Sequence, residues 1–256
     1  MRNLLRLAAL IVASTLSASA SAALMPITAV DRGWYRSADL GFGVYHDPTN
    51  TNYVVGTGRF ANSSGVLTSV QIHNFFVFDL PALTGLTIVG ARLHLYNPII
   101  GVPSLALTPT NGYNSPDPTE TLQINQVTTD IGALRDGTAG LAGYTDLGDG
   151  TVFGGYVASA ADNGQYIDII LNADALLALN VSFGNPFAFG GALTTITPGY
   201  AQNLFSSSNM QIYDPANYLS YTQLVLDVAP VPEPATLLLL GVGLVGIAAS
   251  QRRKSL

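Results

Sequence analysis

Asn74-Phe75-Phe76-Val77-Phe78-Asp79-Leu80-Pro81 and Val89-Gly90-Ala91-Arg92-Leu93-His94-Leu95 are two apolar runs that no helical period accommodates. Aromatic and β-branched residues crowd the first, and the second alternates strictly. Both marks belong to strands rather than helices. The sequence predicts strands over Val70–Leu80 and Thr87–Tyr96, with Pro81–Leu86 as the connecting loop. In the second strand Ala91, Leu93 and Leu95 alternate with Arg92, His94 and Tyr96. One face is therefore buried and the other meets water or a partner.

Outward from this pair the chain keeps the same character. Charges are sparse, Gly and Pro are frequent, and short Val/Ile/Thr/Tyr/Phe runs are separated by turn signals. Upstream strands are expected at Ile27–Tyr35, Gly43–His46 and Asn52–Val55, punctuated by Asp47-Pro48 and Gly56-Thr57-Gly58. Downstream, Gly101–Thr119 carries Pro103, Pro109, Pro116 and Pro118 and reads as a loop, because proline cannot donate to a ladder. Thr121–Val127 returns to strand, and Thr129-Asp130 caps a short helical turn over Ile131–Arg135. Thr151–Ala158 and Gln165–Leu171 are expected to pair as a hairpin through Asp162-Asn163-Gly164, whose Asn and Gly accept positive φ. One convincing helix, Ala173–Leu179, is capped by Asn172 or Asp174. Phe187–Leu193, Asn203–Ser206 and Tyr218–Val228 complete the strands. The fold class is all-β: a single sandwich of eight to ten strands with one short helix.

The two opening runs, read as F-x-F-D-L followed by A-x-L-x-L, resemble the hairpin of bacterial jelly-roll domains of the DNRLRE kind, some of which bind carbohydrate. The likeness covers about twenty-five residues. It implies a jelly-roll-like β-sandwich over residues 23–229.

Both ends of the chain lie outside that fold. Arg2 and Arg6 precede an apolar stretch, Leu7–Leu16, and the small-residue zone Ala18-Ser19-Ala20-Ser21-Ala22. This is the layout of a secretory signal peptide over residues 1–22, cut between Ala22 and Ala23, with a cut after Ala20 as the alternative. At the other end stands Val231-Pro232-Glu233-Pro234, then an uncharged run from Ala235 to Ala249, then Arg252-Arg253-Lys254. The prolines hold the motif extended. The run would span about 22 Å as a helix, short of the roughly 30 Å hydrocarbon core. Taken as a transmembrane helix over 235–250, it is a marginal anchor. The basic cluster holds the C-terminus in the cytoplasm and leaves the domain outside.

Residues 231–256 resemble the PEP-CTERM sorting signal of exopolysaccharide-producing Gram-negative bacteria in motif, spacing, basic end and terminal position. That resemblance implies exosortase as a partner acting at Pro232, Glu233 and Pro234, with Arg252, Arg253 and Lys254 as the basic stop. It further implies a membrane-held precursor and a destination in the cell envelope, outer surface or extracellular matrix, with exopolysaccharide as a companion.

Between the two signals, residues 23–229 carry five arginines and no lysine against fifteen carboxylates, a net charge of −10. An acidic surface repels phosphate backbones and anionic headgroups, which excludes nucleic acid as a partner. Cysteine is absent, so disulfide and thiol chemistry are excluded and stability rests on core burial.

No catalytic motif emerges. His46, His73 and His94 are scattered, there is no G-x-S-x-G, and Glu120 is the only glutamate of the domain. Most aspartates stand beside Gly, Asn or Pro as turn residues. Asp146-Leu147-Gly148-Asp149-Gly150 reads as a tight loop whose Asp146 and Asp149 could offer oxygens to calcium. Tyr35, Tyr45, Tyr53, Tyr113, Tyr200, Tyr213 and Tyr218 fall in loop-like or strand-edge contexts that suit sugar rings. The expectation is a non-enzymatic exported matrix protein associated with exopolysaccharide. A carbohydrate-active enzyme using an aspartate pair and a self-associating structural surface protein are the alternatives.

Overall fold

The computed structural model describes residues 22–43, 45–100, 110–206, 208 and 216–231. In chain order the first strands are β1 (Ala23–Thr28), β2 (Asp31–Arg36), β3 (Val55–Ala61), β4 (Leu67–Asp79), β5 (Leu86–Asn97), β6 (Ile99–Ile100) and β7 (Thr110–Asn111). Then follow β8 (Thr119–Gln126), β9 (Val152–Ser159), β10 (Gln165–Ile170), β11 (Pro186–Leu193), β12 (Gln202–Leu204) and β13 (Thr222–Pro230). Three helices interrupt them: α1 (Ile131–Arg135), α2 (Gly140–Gly148) and α3 (Ala173–Val181).

One sheet runs β1-β13-β5-β10, and the other is built on β4-β11-β8-β9. Renumbered one to eight along the chain, these strands stand in the orders 1-8-3-6 and 2-7-4-5, the double Greek key of a jelly roll. Strands β2, β3 and β12 enlarge the second sheet beside β4. A bridge between Gly154 and Leu171 nearly closes one side. The inner faces meet in one core, with Phe76, Phe78, Ile124 and Phe189 from one sheet against Leu93, Leu95, Ile167, Leu224 and Leu226 from the other.

This topology corrects the expected pairings. In a jelly roll, most successive strands change sheet. So β4 and β5 face each other across the core, and the loop between them is a crossover rather than a hairpin turn. Likewise β9 pairs with β8 and β10 with β5. A 3-10 turn over Ala160–Asp162, closed by a Ser159/Asp162 capping box, joins the two sheets there. Asn163 sits at φ −62°, not in the positive region a type I′ turn needs, because its side-chain oxygen accepts from Tyr113 N at 2.7 Å.

Ile27–Tyr35 splits for the same reason. Ala29 N bonds Thr222 O in one sheet, and Val30 N bonds Val77 O in the other. Gly56-Thr57-Gly58, read as punctuation, lies inside β3, and Gly43–His46 forms no strand among its described residues.

The second sheet is covered on its outer side as well. Phe75 and Val77 of β4 point away from the main core and pack with Tyr35 and Ala188 under Leu134 of α1 and Leu147 of α2. This two-sided burial explains why Phe75–Phe78 reads as an unbroken apolar run. Gly190 permits the cover: a Cβ there would fall 2.6 Å from Leu147 Cα. Helix α1 and its Asp130 cap are as expected, and Asn172 caps α3. Helix α2 is a correction, since Asp146–Gly150 was expected to form a tight loop and its first three residues instead end this helix.

Candidate functional site

Among the described residues, the α-helices pack into the main core or over the other sheet, and none covers the outer face of the β1-β13-β5-β10 sheet. Register places Arg92, His94 and Tyr96 of β5 on this side, opposite Ile170, Asp168 and Tyr166 of β10. Tyr166 and Ile170 are among the exposed large side chains. The His94 ring lies parallel to Tyr166, with centroids 4.4 Å apart and an angle of 2° between the planes. Tyr96 tilts against Tyr166 at 5.1 Å and against Tyr221 at 5.4 Å. Beside the rings, Asp168 Oδ1 lies 2.7 Å from His94 Nδ1 and 3.3 Å from Arg92 Nε. Burial and the neighbouring phenols push Tyr166 up, so its hydroxyl stays neutral and able to donate. Flat apolar rings with polar groups at their rim suit sugar rings.

The tyrosines singled out from sequence lie elsewhere. Tyr35 and Tyr53 are fully buried. Tyr35 donates to Leu134 O at 2.7 Å, and Tyr53 to Tyr96 O at 2.6 Å. Tyr113 is buried and donates to Asp117 O, Tyr45 packs beneath α1 and α2, and Tyr218 lies 5.6 Å from the Arg32 guanidinium. Tyr200 is exposed but apart from the face, and Tyr213 lies outside the described residues. The signal that finds Tyr96 and Tyr166 is strand alternation. Inward Leu93 and Leu95, and inward Ile167 and Ile169, put their even-numbered neighbours on the open side.

Asp146 and Asp149 are brought to one shallow depression, lined also by Thr128 and Gly150. Asp146 accepts from Thr128 N at 2.8 Å, Thr129 N at 2.7 Å and Thr128 Oγ1 at 2.6 Å, and these donors hold its carboxyl below the usual range even though burial opposes them. Its oxygens staple α2 to the end of β8. Asp149 accepts from Gly150 N. Among the described residues, no three His, Asp or Glu side chains gather as a metal site.

A carboxylate pair does exist, formed by Asp117 and Glu120. Gln202 Nε2 donates to Glu120 Oε1 at 2.9 Å and to Asp117 Oδ2 at 2.5 Å. Ser115 Oγ and Thr195 Oγ1 also donate to Glu120, which is fully buried. Both acids are thus absorbed in an internal network. The histidines are spread as expected. His46 is buried against Tyr35 with Nδ1 2.6 Å from Trp34 O, and His73 stacks on Tyr144 at 4.1 Å. Burial lowers the pKa of both. Arg32 is buried too, with its guanidinium 4.5 Å over Tyr53, Nη1 donating to Thr222 Oγ1 at 2.6 Å, and Nη2 without a partner.

Of the processing residues, Ala22 is exposed and Ala23 opens β1 opposite Val228. Val231 is exposed, and its N–H donates to Gly85 O at 2.9 Å. Pro232, Glu233, Pro234, the span 235–250, Arg252, Arg253 and Lys254 lie outside the described residues, as do residues 1–21. Among the described residues no helix is long and apolar enough to cross a membrane.

Comparison with known proteins bears on this end of the chain. A family model described as the PEP-CTERM protein-sorting motif matches residues 230–254. No curated protein matches the chain.

Proposed function

From a chain that carries a PEP-CTERM sorting motif, and so is an exported target of exosortase, we propose a non-catalytic matrix protein that holds exopolysaccharide on its tyrosine face. On this reading a signal peptide over 1–22 directs export, the tail over 235–250 pauses the chain in the membrane, and exosortase trims it at Pro232-Glu233-Pro234. The observation that carries the binding role is the uncovered sheet bearing the His94–Tyr166 stack with Tyr96 and Tyr221 beside it. A net charge of −10 on the domain favours a neutral polymer over a polyanion. The absence of catalysis is supported by Asp117 and Glu120, whose oxygens are engaged by Gln202, Ser115 and Thr195.

The test has two arms. The protein is localised with and without exosortase, with mass spectrometry of the mature C-terminus. Retention by the host's own exopolysaccharide is measured by affinity electrophoresis. Trimming that depends on exosortase, together with retention, supports the reading. Normal release without exosortase overturns the sorting arm, and absence of retention there and on a glycan array overturns the binding arm.

A further inference from the structure

The two ends of the domain leave it side by side. Ala23, the first residue of β1, pairs with Val228 near the end of β13, and Val231 is tied to Gly85 in the β4–β5 crossover. The pole around them is completed by the α3–β11 turn, where Leu80 N bonds Asn185 O and Gly184 N bonds Pro81 O.

Segments 22–24, 81–86, 181–186 and 229–231 contain no charged residue, in a domain of net charge −10. Leu24, Val181 and Val231 are 63%, 77% and 51% exposed there. Two acids border the rim, Asp79 opposite Pro186 and Asp227 opposite Leu24.

Only Pro232, Glu233 and Pro234 separate Val231 from the apolar run that opens at Ala235. Three extended residues reach about 10 Å. The run itself is about 8 Å short of the roughly 30 Å hydrocarbon core, and a short span draws its flanking residues toward the interface.

We propose that this uncharged pole rests on the lipid interface while the tail is in place. The strands then stand away from the membrane. Tyr96 lies at the far end of β5, Tyr166 near the start of β10, and Tyr221 just before β13, so all three rings sit at the pole opposite the bilayer. The anchored precursor thereby presents its aromatic face outward before it is released. This rests on the reading that the tail inserts before trimming.

The chain has no cysteine, so a single introduced one carries a unique probe. T84C, exposed at the pole, and A161C, exposed at the opposite end, are labelled with an environment-sensitive fluorophore in the full chain. Each is reconstituted in phosphatidylcholine vesicles holding a headgroup-attached quencher. The expected result is several-fold stronger quenching and a blue shift at residue 84 only, both lost after the tail is removed. Carbonate extraction reports insertion independently. Inserted chain with equal quenching at both positions, or none at residue 84, overturns the proposal while leaving the sorting role intact. Chain stripped by carbonate overturns both.

Discussion

His94 and Tyr166 lie face to face, their centroids 4.4 Å apart, on neighbouring strands of the sheet whose outer face no α-helix covers among the described residues. Each ring packs against the other's face, so the pair has little conformational freedom left to lose on binding.

Tyr166→Ala removes half of that pair from an exposed position. Loss of a stacked ring is worth about 0.5–1.5 kcal/mol, so retention by exopolysaccharide should weaken roughly threefold to tenfold. The melting temperature should fall by only a few degrees, for the ring contacts Tyr166 makes with His94 and Tyr96. Unchanged retention in affinity electrophoresis would remove this face from the binding site.

Glu120→Gln puts an amide N–H₂ where Ser115, Thr195 and Gln202 all donate. Leaving buried donors unpaired costs about 1–3 kcal/mol, roughly a 3–10 °C fall in melting temperature for a domain this size. Calorimetry checks it. A variant as stable as the parent would mean the network adds nothing.

His46 and His73 are held neutral by burial, with folded pKa values below the ordinary imidazole value of about 6.5. Below that pH the unfolded chain binds more protons than the folded one, so stability is fully present above about pH 6.5 and declines as pH falls from there toward 5. Asp47 and Asp146, with lowered carboxyl pKa values, lose their contribution only at more acidic pH, below about 4. Urea midpoints at pH 7.5 and 5.5 separate the two sets. Equal midpoints would contradict the histidine assignment.

Asp146→Asn weakens the staple between α2 and Thr128–Thr129, and about 1–2 kcal/mol of stability should go with it. Because those donors already occupy both Asp146 oxygens, adding calcium or EDTA should leave the melting temperature unchanged. A calcium-dependent rise that disappears in Asp146→Asn would restore the loop as a cation site.

Glu233→Ala and Arg252→Ala fall in the sorting motif, after the last strand in sequence, and should leave the domain intact. Both variants should be exported yet remain untrimmed in the membrane fraction, as read by fractionation and intact mass. Normal release of either would show that the motif does not direct trimming.

The sequence was legible where burial is one-sided. In β5, Ala91, Leu93 and Leu95 turn to the core while Arg92, His94 and Tyr96 turn out, and alternation reports this directly. It falls silent at Phe75–Phe78, where α1 and α2 cover the second face. Sheet membership is not local either, since the six residues 81–86 serve a hairpin or a crossover equally well. Helix α2 escapes because Gly140, Gly143 and Gly148 lower its propensity, and a distant carboxylate contact at Thr128 stabilises it. The tyrosine platform follows from the same alternation as the core, whereas loop context alone does not tell an exposed tyrosine from a buried one such as Tyr35 or Tyr53.

The pairing of β1 with β13 also sets an order of events. Among the described residues β1 has no other strand partner, and roughly 200 residues separate the two in the chain. The first strand to cross the membrane therefore waits for the last, and a chain cut short keeps two open edges that invite aggregation. The residues that finish the sheet at Pro230 are followed at once by the address at Pro232. Completion of the fold and arrival of the sorting motif thus come together in the chain.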